Sequence, residues 1–103
     1  MKKPESKDPL GHIKIVVKNI KKSKKFYQNF FEFLNYKKIS EKPYGIAYVT
    51  PNGFGIWIAQ AEHKKPAYKF SAPGLHHLCF KAKTKKQVDW LYKFLIKNKV
   101  KNL

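Results

Sequence analysis

One pattern is written twice in this chain. His12-Ile13-Lys14-Ile15-Val16-Val17 reads as a strand headed by histidine, and His77-Leu78-Cys79-Phe80-Lys81-Ala82 repeats it 65 positions later. The same spacing carries Phe26 onto Leu91, Tyr27 onto Tyr92, Phe30 onto Leu95 and Phe31 onto Ile96. A strand followed by a helix with its apolar stripe in the same phase therefore occurs twice. A recurring supersecondary unit generally cannot bury its apolar face alone, so the copies pack together. Two copies related in this way would bring two histidines to equivalent places, which is how a shared site is built.

Local signals fill in the first copy. Alternation puts Ile13, Ile15 and Val17 on one face of the first strand and His12, Lys14 and Val16 on the other. Phe26, Tyr27, Phe30, Phe31 and Leu34 recur at helical spacing and predict a helix over 21–34, with Asn35 as a left-handed stop. Short strands follow near 37–40 and 45–50, and the Pro51-Asn52-Gly53 turn leads into a strand over 54–61. The first module reads β-α-β-β-β. In the second copy, Thr84-Lys85-Lys86-Gln87 has the form of a capping box, and Val88, Leu91, Tyr92, Leu95 and Ile96 predict a buried stripe.

The expected organisation is a tail over 1–10, mobile, and a single α+β domain over 11–103. Within it, module one spans 11–61, a polar connector 62–73, and a partial second module 74–103 holding only a strand and a helix.

Composition narrows the function classes. A chain of 103 residues with eight Phe, six Tyr and two Trp can bury a real core as one domain. A single cysteine excludes an intrachain disulfide framework and fits a reducing cytoplasm. The first residues contain no apolar signal-peptide segment, and no apolar run is long enough to span a membrane. The formal charge of +17 suggests nucleic acid, yet all 23 basic residues are lysine. Base readers favour the planar, bidentate guanidinium, so the lysines read as a solvated surface with only weak, sequence-blind adsorption and no specific nucleic-acid partner.

The strand beginning His12-Ile13-x-Ile15-x-Val17, a short connection and a helix containing Phe26-Tyr27 resemble the vicinal oxygen chelate superfamily, the glyoxalase, bleomycin-resistance and extradiol dioxygenase group. Gly74-Leu75-His76-His77-Leu78-Cys79-Phe80 looks like the start of that family's second module. The resemblance implies a glyoxalase-like βαβββ module and a cupped sheet. It carries His12 and His77 onto two metal-ligand positions, implying a divalent ion such as Zn, Ni, Fe or Mn. It also implies that a complete member is a metal-dependent lyase, isomerase or dioxygenase acting on a small molecule. The sequence departs from the pattern where the first module's last strand holds Trp57 instead of a glutamate, with Gln60 and Glu62 nearby.

Other readings stand beside this one. A metal-free cavity of the same fold would sequester a drug-like ligand, with Trp57, Tyr48 and Cys79 as lining residues, though each is also a natural core residue. An inactive, truncated fragment is a third reading, because the second module ends after its helix. His76 is expected on the face opposite His77, and His63 in solvent. The second module's strand lacks sheet partners, which predicts association into a homodimer.

Overall fold

The computed structural model describes residues 7–69 and 72–100; most of the predicted tail, residues 1–6, lies outside the described residues. The chain divides into two units, Met1–Ala67 and Tyr68–Leu103.

In the first unit, β1 (His12–Val17) leads to α1 (Ile20–Phe33), then β2 (Lys37–Lys42), β3 (Gly45–Val49) and β4 (Gly55–Gln60). These boundaries follow from local chemistry. The Asn19 side chain accepts from the Lys22 N–H at 3.3 Å and caps α1. At the other end Asn35 takes φ 65, and the N–H groups of Asn35 and Tyr36 donate to the carbonyls of Glu32 and Phe31. That paired closure is a Schellman motif, and the Phe31 and Tyr36 rings stack across it at 5.6 Å. Gly53 at φ 90 makes the turn between β3 and β4, where its N–H donates to Thr50 O. Residues 7–10 are tied as well, since Lys7 N–H donates to Asn52 O and Leu10 N–H to the Asp8 carboxylate.

The four strands form one sheet in the order β1-β4-β3-β2. β1 runs parallel to β4, while β4, β3 and β2 are antiparallel neighbours. β1 and β2 are the edges. α1 packs mainly on β4, β3 and β2. Phe30 and Phe31 from the helix and Leu34 at its C-cap join Ile46, Tyr48, Ile56 and Ile58 from the sheet in the buried core. Ile13, Ile15 and Val17 face the helix side of the sheet but are only half-buried, because α1 sits toward the other strands.

In the second unit, α2 (Lys85–Lys97) begins as predicted: Gln87 N–H donates to Thr84 Oγ1 at 3.1 Å. The Gln87 side chain reaches back one residue further than an ideal capping box and accepts from Lys83 N–H. The helix closes like α1, with Lys99 at φ 57 and the N–H groups of Lys99 and Val100 donating to Ile96 and Leu95. The sequence repeat is thus matched in phase at the N-caps, Asn19 and Thr84, while the C-terminal closure of α2 comes one residue early.

Two expectations for this unit are corrected. Residues 77–82 form no strand, because a strand exists through ladder bonds and all four strands of the described residues belong to the first unit. The stripe on α2 is not buried: no residue of the helix is, and Tyr92 and Ile96 are 61% and 57% exposed.

Candidate functional site

Residues paired across strands point to the same side of a sheet. The register pairs Ile13 with Ile56, Ile15 with Ile58, and Tyr48 with Ile56; this is the side α1 covers. His12 pairs with Gly55, Lys14 with Trp57 and Val16 with Ala59 on the other side. Trp57 also pairs with Ala47, so the indole lies between Lys14 on the edge strand and a small buried residue on β3. His12, Lys14 and Val16 are exposed, and Trp57 is half-buried. Gly55 makes the site tighter than its sequence suggests. A Cβ there would stand 3.0 Å from the His12 Cβ, so glycine lets β1 seat its histidine against β4.

Tyr48 is on the helix side. It is fully buried, its ring lies 5.2 Å from Phe31, and its hydroxyl donates to the Glu32 carboxylate at 2.7 Å. Burial and the hydrogen bond to that carboxylate raise its pKa well above the usual tyrosine range. These contacts make Tyr48 a core residue that ties α1 to β3, not a residue of the His12 face.

Gln60, weighed as a stand-in donor, is occupied by the backbone. Its Oε1 accepts from Ile20 N–H at 2.9 Å, while its Nε2 donates to Lys18 O at 2.8 Å. The amide therefore clasps the β1–α1 turn and supplies a second cap to α1. Periodicity could not reveal this role, because the contact joins residues 40 positions apart. Glu62 follows in the exposed segment after β4.

His77 and Cys79 belong to the second unit and are both exposed. His76 and His77, expected on opposite faces, are brought together: their Nδ1 atoms lie 2.9 Å apart and the rings meet edge to face. Without ladder bonds the segment has no enforced alternation, so neighbours can turn the same way. The Cys79 thiol makes a long contact of 3.8 Å to Phe80 O. His63 is exposed.

The implied divalent ion can be tested against these donors. Trp57 has no lone pair to offer where the resemblance calls for a carboxylate, and Gln60 is held by the chain. Among the described residues no three His, Cys, Asp or Glu side chains come together to hold a metal ion. The donors described do not fit a resident metal. Among the described residues, no helix is long and apolar enough to cross a membrane.

A βαβββ sheet with a histidine-headed edge strand is the module from which glyoxalase-type proteins are built. The chain belongs to the Glyoxalase/Bleomycin resistance protein/Dioxygenase superfamily, whose family model matches residues 9–103. It is 34% identical over 82 residues to the uncharacterised protein YqjT of Bacillus subtilis (strain 168). That match covers 78% of this chain, and the chain spans 63% of that relative's length. A crystal structure of a candidate glyoxalase from Bacillus halodurans superposes with a TM-score of 0.81 at 24% identity, over 90% of this chain and 71% of that one. At that identity the likeness shows a shared fold.

Proposed function

We propose that this chain is a small-molecule binding member of the superfamily, using the sheet face of His12, Lys14, Val16 and Trp57. The observation that carries this reading is Trp57 itself. An indole in register with Lys14 and flanked by Ala47 and Ala59 offers a flat apolar contact surface, and it stands where metal chemistry would need a carboxylate. A half-buried tryptophan supplies large apolar contact area with a polar edge. Sequestration of a ligand needs shape and contact, and no proton or electron has to move.

A metal-dependent lyase or dioxygenase activity is the second reading, and the seating of His12 against Gly55 favours it. We further propose that a second copy of the chain covers the apolar side chains left exposed in the second unit, among them Leu75, Tyr92 and Ile96.

Calorimetric titration of the purified protein with Ni(II), Zn(II) and Mn(II), beside a panel of flat aromatic compounds, tests both readings. Binding of aromatics without metal, lost in Trp57→Ala, supports the binding protein. Stoichiometric tight metal uptake that is lost in His12→Ala would overturn it in favour of the metal-dependent reading.

A further inference from the structure

The ligand-facing side of the sheet carries charge of one sign only. Its polar members from β1 and β2 are His12, Lys14, Lys37, Ser40 and Lys42, by register with Gly55, Trp57, Val49, Ala47 and Gly45. The four strands contain a single acidic residue, Glu41. Glu41 pairs with Ile46, on the helix side. There it is engaged by Lys38 at 2.7 Å and Lys24 at 3.3 Å, which pull its pKa down. No carboxylate of the sheet is left to neutralise Lys14. The site is therefore an indole platform with an exposed ammonium on the adjacent strand, about 4.8 Å away backbone to backbone.

Resting on the binding reading above, we infer that the preferred ligand is a small planar aromatic carboxylate, its ring against Trp57 and its anionic group at Lys14. The indole supplies contact area for any flat ring, and Lys14 supplies the discrimination. A carboxylate on the ring edge exchanges one hydrated ion for a charge-assisted hydrogen bond, while a neutral analogue gains only the stacking. Edge position matters, because the Lys14 stem can lie along the strand without displacing core residues.

Calorimetric titration with 1-naphthoate and with neutral 1-naphthalenemethanol separates the two contributions. The wild-type protein should prefer the carboxylate by about fivefold, the size of an exposed ion pair. Lys14→Gln should erase that preference, weakening binding of the carboxylate about fivefold more than that of the alcohol. Lys25→Gln, on the exposed side of α1, should leave the preference intact. Equal affinity for the two probes in the wild type, or an equal loss in the Lys25 variant, would overturn the inference while leaving the binding reading standing. Failure of both probes to bind would remove both. Displacement of 1-naphthoate by a short single-stranded oligothymidylate at lower concentration would instead assign the face to nucleic acid, since stacked indoles and lysines also suit unpaired bases.

Discussion

α1 and α2 descend from the same sequence pattern and end in the same way, yet only one of them is buried. Both start at a polar cap, Asn19 or Thr84, and both finish in a Schellman closure around a residue at positive φ. α1 then places Phe30 and Phe31 in a core with β3 and β4, whereas α2 buries nothing. Helix ends are decided by a few neighbouring residues, so they survive wherever the sequence does. Burial is decided by partners distant in sequence, and the described residues of the second unit contain no strand to serve as one. Capping specifies a helix; it does not give the helix a place to pack.

The largest contrast should come from truncating one large apolar side chain in each stripe. Phe31→Ala, at a fully buried site, should cost about 3–5 kcal/mol in urea denaturation. Ile96→Ala, at the matching position of α2, should cost less than about 0.5 kcal/mol at concentrations low enough to keep the chain monomeric, as at a surface site. Comparable losses under those conditions would mean that the second stripe is covered within the monomer.

The tie between α1 and β3 is the next largest effect. Tyr48→Phe removes the hydrogen bond to Glu32 and should cost about 1.5–3 kcal/mol, because the acceptor is charged. It should also change the alkaline limb of stability. The folded state holds the Tyr48 proton above the ordinary tyrosine pKa of about 10, so above that pH the unfolded chain binds fewer protons and stability falls. Below about pH 10 the contribution is fully present. The variant should therefore show a shallower decline in denaturation midpoint between pH 10 and higher values; an identical decline would remove Tyr48 as its source.

Much of this was legible in the sequence, and for a single reason. β1, α1, the hairpin at Gly53, the Asn35 stop and the Thr84 cap are all local, set by alternation, helical spacing and turn chemistry within a few residues. The histidine face of β1 was legible too, since pleating alone places His12 opposite Ile13. What the sequence concealed was relational. The clasp by Gln60, the seat that Gly55 makes for His12 and the burial of Tyr48 against Phe31 each depend on a register that joins distant segments. The strand expected at 77–82 failed for the same reason: its residues have strand propensity, but propensity cannot supply a neighbour. The pairing of His76 with His77 then followed from the absence of that ladder.

Smaller and more even effects should come from the caps. Asn19→Ala and Thr84→Ala each remove one acceptor from a helix start, worth about 1 kcal/mol. Gln60 supplies α1 with a second acceptor at Ile20, so Asn19→Ala should be the milder change. Circular dichroism of the two variants should show the greater loss of helix from Thr84→Ala, and the reverse order would indicate that α2 is anchored by more than its own ends.

Residue-resolved hydrogen exchange in dilute solution tests the central contrast most directly, because it reads the opening free energy of each helix separately. Amides of α1, β3 and β4 should exchange only through global unfolding, while those of α2 should exchange through local openings of far lower free energy. Amides of Leu91 and Leu95 as strongly protected as those of Phe30 and Phe31 would contradict that contrast.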